Sequence, residues 1–137
     1  HLMKIFSHRR SFPAAASGLR LTSRDLLKFG SLYLNNGRWD DKQILTENWV
    51  NETFKTQILR ENNSTIYGYS YLFWTYSETV NNKAFQIVSA RGLGGQRIFI
   101  NKELKLIVVI TAGNYRRNDI RNDGQLALDK YILPALH

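Results

Sequence analysis

With 137 residues, 43% of them hydrophobic, the chain can bury the core of one globular domain and is too apolar for a disordered segment. The absence of cysteine excludes disulfides and thiolate metal sites and leaves the compartment open. The net charge of +8 is dispersed, with a pair at Arg9 and Arg10 and a cluster at Arg116, Arg117 and Arg121, and this argues against the concentrated basic face of a nucleic-acid binder.

In chain order, residues 1–17 are basic, polar and small, and Phe12-Pro13-Ala14-Ala15-Ala16 reads as irregular. They are expected to be a connector or a vector-derived N-terminus, with the domain spanning 18–137. Thr22 is placed to cap a helix with Asp25 at its third position, and Leu26, Leu27, Phe29, Leu32, Tyr33 and Leu34 supply its apolar face. The helix should stop near Asn35-Asn36-Gly37. Asp40-Asp41-Lys42 fits a turn. Thr46 can cap a second helix carrying Trp49, Val50, Thr53 and Phe54.

After Arg60-Glu61-Asn62-Asn63-Ser64, read as a polar loop, the period changes to that of strands. Four are predicted, over Tyr67–Tyr76, Lys83–Ala90, Gly95–Ile100 and Leu106–Ala112, joined by connections short enough for antiparallel hairpins. The alternating tyrosines Tyr67, Tyr69 and Tyr71 fit cross-strand packing better than a base-stacking platform. Leu106-Ile107-Val108-Val109-Ile110 is apolar on both faces, which predicts a central strand covered on both sides. Asn122 or Asp123 can cap a last helix over Leu126–Leu133. The pattern predicts an α+β fold, an antiparallel sheet flanked by helices. No apolar run approaches the roughly 18 residues of a membrane span.

The most informative stretch is Ala90-Arg91-Gly92-Leu93-Gly94-Gly95-Gln96, a glycine-rich bend running directly into a strand. Together with Gly18-Leu19-Arg20-Leu21-Thr22-Ser23-Arg24-Asp25-Leu26, Asn36-Gly37-Arg38-Trp39, Ile44-Leu45-Thr46-Glu47-Asn48-Trp49-Val50 and Thr111-Ala112-Gly113-Asn114-Tyr115, it resembles the C-terminal part of the serine beta-lactamase and penicillin-binding-protein family. The nearest likeness is to class C-like hydrolases and esterases, over about residues 14–137. Such enzymes need a nucleophilic Ser with a Lys one helical turn later, a Tyr-x-Asn motif and a Lys/His-Thr/Ser-Gly strand. No Ser or Thr here is followed three residues later by Lys. Tyr33-Leu34-Asn35 matches Tyr-x-Asn only formally, since its place in the helix marks Tyr33 as core and Asn35 as a helix end.

The resemblance therefore implies part of a beta-lactamase/transpeptidase-like fold, inactive alone, whose parent opens an amide or ester through an acyl-enzyme outside the cytoplasm. Ala90-Arg91-Gly92 takes the place of the third motif, its Lys or His lost; Gly92-Leu93-Gly94 followed by Gly95 is a second register. On the first, Leu93 offers the backbone N–H that helps hold the oxyanion, and Arg91, Gly92, Gly94 and Gly95 border a small-molecule or peptide substrate. The missing N-terminal portion would supply the nucleophile and extend the sheet, so the chain alone is expected to self-associate through an exposed edge. A non-catalytic module binding cell-wall peptide or a protein partner is the alternative. Arg116 and Arg117 are candidates for a substrate carboxylate. His1, His8 and His137 lack ligand spacing, so neither metal nor cofactor is expected.

Overall fold

A computed structural model describes residues 4–5, 18–62, 65–115 and 123–136. Within them the fold is α+β, as the sequence pattern predicts: a six-stranded antiparallel sheet with helices on both faces. The leading segment is not wholly unpaired, because β1 (Lys4–Ile5) pairs with β2 (Leu19–Arg20).

Helix α1 (Ser23–Leu34) starts where the capping pattern places it, with Thr22 Oγ1 accepting from the Asp25 N–H at 3.2 Å and donating to the Asp25 carboxylate at 2.7 Å. Asn35 is its C-cap. Short strands β3 (Arg38–Trp39) and β4 (Lys42–Gln43) form a hairpin around Asp40, and Thr46 caps α2 (Glu47–Phe54) through the Trp49 N–H at 3.2 Å.

The main sheet holds β5 (Ile58–Asn62), β6 (Thr65–Ser70), β7 (Phe73–Val80), β8 (Lys83–Arg91), β9 (Arg97–Asn101) and β10 (Leu106–Ile110), in the spatial order β10-β9-β8-β7-β6-β5. Three expectations are corrected here. Arg60–Asn62, read as the start of a polar loop, belong to strand β5, held by backbone pairing with β6 from Ile58↔Tyr69 to Asn62↔Thr65, a position that makes no demand for an apolar sequence, while Asn63 and Ser64 lie outside the described residues. The single strand expected over Tyr67–Tyr76 is two, reversed at Tyr71-Leu72, where both residues take positive φ (43° and 72°). Strand β10 is covered on both faces but is the edge of the described sheet, not its centre. Double coverage dictates apolar residues whether or not a second neighbour pairs with the backbone.

Strict alternation sorts the side chains between two cores. On one face, α1 and α2 cover Phe73, Val88, Ile98 and Ile100, with Tyr33, Val50, Ile107 and Val109 completing the cluster. The opposite face joins Ile87, Phe99, Val108 and Ile110 to Leu128 and Leu133 of the C-terminal segment. Each Ile or Phe buried this way contributes about 2 kcal/mol. That segment departs from the single helix predicted: α3 (Asp123–Ala127) widens into one π turn (Leu128–Ile132) and tightens into a 3-10 turn (Leu133–Ala135) containing Pro134. Asn122 lies outside the described residues.

Candidate functional site

The glycine-rich bend connects β8 to β9 and is fixed by hydrogen bonds on every side but one. The Gly92 N–H donates to the Gln96 carbonyl at 2.9 Å, and the Gly95 N–H donates back to the Gly92 carbonyl at 3.2 Å. Gly95 has φ +91°, a conformation that L side chains resist. The Arg97 guanidinium, 6% exposed, donates to the carbonyls of Gly92 (3.0 Å) and Gln96 (2.9 Å).

The centre of this network is the Gln96 carboxamide. Its oxygen accepts the Gly94 N–H at 3.0 Å, while its nitrogen donates to the Ala112 carbonyl at 2.7 Å and to the Tyr115 hydroxyl at 2.9 Å. The Asn114 N–H closes the circle on the Gly94 carbonyl at 2.8 Å. A Cβ on Gly92 would meet Gln96 Oε1 at 2.5 Å, and one on Gly94 would meet Gln96 Nε2 and Tyr115 Cζ, both at 2.8 Å. A side chain at Gly92 would have to displace the Gln96 carboxamide, and one at Gly94 the carboxamide or the Tyr115 ring, so glycine at both places leaves the network intact.

Leu93 is left facing outward. Its residue is 69% exposed, and among the described residues no hydrogen bond uses its N–H. Gly94 and Gly95 on either side of the bend's tip are buried. The loop thus presents the Leu93 amide, which has no acceptor among the described residues, between glycine amides at Gly92, Gly94 and Gly95 that are occupied, an arrangement able to offer a donor to a carbonyl oxygen or an oxyanion.

Of the five residues predicted to border the site, Gly92, Leu93, Gly94 and Gly95 form this bend, while the Arg91 side chain turns to the other sheet face. Alternation along β8 puts Ala90 with the core under α1 and Arg91 with Ile87 and Ser89 beneath the C-terminal segment. There the guanidinium lies between the rings of Tyr67 (5.2 Å), Trp74 (5.3 Å) and Tyr76 (5.2 Å). Its Nε and Nη2, like Ser89 Oγ, are buried without a hydrogen-bond partner among the described residues. Tyr76 meets Gln125, whose amide nitrogen also donates to the Asp129 carboxylate at 2.9 Å. Burial pushes the Tyr76 phenol and the Asp129 carboxyl above their usual ranges, Arg91 partly offsetting both. Burial and the Asp129 charge together raise Glu78.

Tyr33 is 7% exposed, packed between Phe29 (5.2 Å) and Phe73 (5.0 Å), as its helical spacing predicts. Arg116, Arg117, His1, His8 and His137 lie outside the described residues. Among those described, no group of three or more His, Asp or Glu side chains could hold a metal ion, and no helix is long and apolar enough to cross a membrane. Gln96 and Tyr115 are site residues that sequence reasoning quoted within motifs without giving them a role. No family model and no curated protein matches the chain.

Proposed function

We propose that this chain is the C-terminal part of a serine hydrolase of the beta-lactamase and penicillin-binding-protein type, supplying the wall of the cleft and one oxyanion donor. The observation that carries the proposal is the N–H of exposed Leu93, without an acceptor among the described residues, on a bend whose glycine amides are all engaged. A second feature agrees with it: β10 is an edge strand, apolar on both faces, suited to accept a strand from the rest of the domain.

In this reading the nucleophilic Ser, its Lys and the catalytic Tyr come from a portion that precedes the chain. The serine hydroxyl gives its proton to the Lys as its oxygen bonds to the carbonyl carbon of an amide or ester, and the carbonyl π pair moves onto oxygen, where the Leu93 N–H stabilises it. The C–N or C–O bond then breaks, the amine or alcohol leaves with a proton, and water releases the acid from the acyl-enzyme. Gly92, Gly94 and Gly95 border the substrate with backbone alone, and Arg91 anchors the strand that carries them. Ala90 stands where the family's Lys or His belongs. That departure favours esters and simple amides over beta-lactams.

The test is turnover of nitrocefin and p-nitrophenyl esters by this chain and by the product of the longer reading frame, with a fluorophosphonate label for an activated serine. Activity confined to the longer product, and lost by about 100-fold on Leu93→Pro, which removes the N–H, is the expected result. Turnover by the chain alone refutes the missing nucleophile. A silent longer product that binds cell-wall peptide establishes the non-catalytic module instead.

A further inference from the structure

The chain holds one Asn-Gly pair, Asn36-Gly37, and it lies where α1 gives way to β3. Such a pair carries chemistry of its own. The glycine nitrogen, once its proton has passed to solvent, can bond to Cγ of the asparagine side chain, because no Cβ obstructs the approach. The carboxamide nitrogen then leaves as ammonia, and water opens the succinimide ring to aspartate or isoaspartate. In sum, one water is consumed, one ammonia is released and a carboxylate replaces the carboxamide.

The fold restrains both reacting groups. The Gly37 N–H donates to the Leu32 carbonyl at 2.7 Å, and the Gly37 carbonyl accepts from the N–H groups of Ile44 and Leu45 at 2.8 and 3.1 Å. The nucleophilic nitrogen therefore keeps its proton. The Asn36 carboxamide is held by a residue 66 positions away in sequence. Lys102, in the turn between β9 and β10, donates from Nζ to Asn36 Oδ1 at 2.7 Å and to Asn51 Oδ1 of α2 at 3.2 Å, and lies 4.6 Å from the centre of the Phe54 ring. To reach the Gly37 nitrogen, the Asn36 side chain must let go of this ammonium. Polarisation of the carboxamide by Lys102 counts only while their bond lasts, and in that state the Gly37 N–H is still donating to Leu32.

We propose that Asn36 is a deamidation site which the fold keeps closed, with Lys102 as the positioning residue that closes it. Departure of the β9–β10 turn from α1 and α2 frees the carboxamide, and the rate of conversion follows the population of that opened state. A hydrogen bond to a charged group shifts such an equilibrium by about 10-fold or more. The aspartate produced meets a cation already in place, so conversion exchanges a neutral acceptor for a charged one.

For the test, the chain, Lys102→Met and Asn51→Ala are incubated at neutral pH, both native and in concentrated urea, and the peptide containing Asn36 is followed by mass spectrometry. Methionine keeps an apolar stem against Phe54 and removes the ammonium donors. In urea all three should convert at one rate. Two restraints of about 10-fold each should make the native parent about 100-fold slower than in urea. Native Lys102→Met should convert about 10-fold faster than the parent, and Asn51→Ala, which keeps the bond to Asn36, within about twofold of it. Amide exchange at Ile100 in β9 reports global opening. An acceleration in Lys102→Met no greater than that of Ile100 exchange assigns the effect to lost global stability and overturns the clamp. A parent that converts as fast native as in urea overturns the closed site. A Lys102→Met variant slower than the parent makes the lysine an activator of the carboxamide and refutes the restraint.

Discussion

Replacing Gln96 by alanine tests whether the donor loop is held by one carboxamide. Three hydrogen bonds disappear together, and their environments differ. Gly94 is buried, so its N–H is left unpaired at a cost of about 1–2 kcal/mol. Water can replace the bond to the half-buried Ala112 carbonyl, which adds roughly 0.5 kcal/mol, and exposed Tyr115 loses nothing of consequence. The sum is about 2 kcal/mol, which for a chain of this size lowers the unfolding midpoint by roughly 6–10 °C. Urea unfolding gives the free energy, and amide hydrogen exchange localises it: Gly94 should lose protection while Ile98 and Ile100 in β9 keep theirs relative to the global value. Gln96→Glu separates shape from hydrogen bonding. The introduced carboxylate can still accept from Gly94 but sets a charged oxygen against the Ala112 carbonyl, so its folded pKa rises above the unfolded value near about 4.3. Its penalty is therefore absent below pH of about 4 and grows as pH rises through the folded pKa. A loss under about 0.5 kcal/mol for Gln96→Ala, with Gly94 exchange unchanged, refutes the reasoning.

Three further outcomes are expected. Asp129 and Glu78 are both held above the ordinary carboxylate range, first by burial and, for Glu78, then by the Asp129 charge, so the folded state disfavours their ionised forms. Stability should fall as pH rises from about 4 through their folded pKa values. Asp129→Asn should flatten that slope and move the Glu78 titration downward, and a Glu78 titration that does not move under NMR contradicts the pairing. Arg91→Met keeps the stem among the three rings and removes buried nitrogens that have no hydrogen-bond partner among the described residues, so chemical denaturation should place it within about 1 kcal/mol of the parent. Arg91→Lys, which loses the flat guanidinium face, should cost about 1–3 kcal/mol, and the reverse order of the two variants defeats this account. Gly37 has φ +83°, and a Cβ there would collide with the Leu45 carbonyl, so Gly37→Ala should lose about 2 kcal/mol or more in a thermal melt. A stability unchanged within about 0.5 kcal/mol rules out that clash.

What the sequence reveals and what it conceals divide along the range of the interactions. Thr22 and Thr46 are readable as caps because the cap, its acceptor and the amide it satisfies lie within four residues. Strands β8, β9 and β10 are readable because their alternation records two covered faces. The Tyr71-Leu72 turn is invisible, since neither residue is one that turns select and the apolar run passes through it unbroken. Strand β5 is hidden by polarity, and the edge position of β10 by its double coverage. At the site, the glycines announce a bend, but the role of Gln96 depends on Ala112 and Tyr115, sixteen and nineteen residues later. The turning of Arg91 away from the bend was available in the sequence: counting by twos from Val88 puts Ala90, and not Arg91, on the α1 side.

The donor bend looks like a short cassette, six residues from Arg91 to Gln96, that could be lifted out and placed between two strands of another protein. Its bonding says otherwise. The carboxamide that aligns Gly94 takes its bearings from Ala112 and Tyr115, the Gly94 carbonyl is fastened by Asn114, and Gly92 is fastened from β9 by Arg97. The unit of transplantation is the whole meander from β8 through Tyr115, and a graft of the glycines alone would carry over the spelling of the loop without its shape.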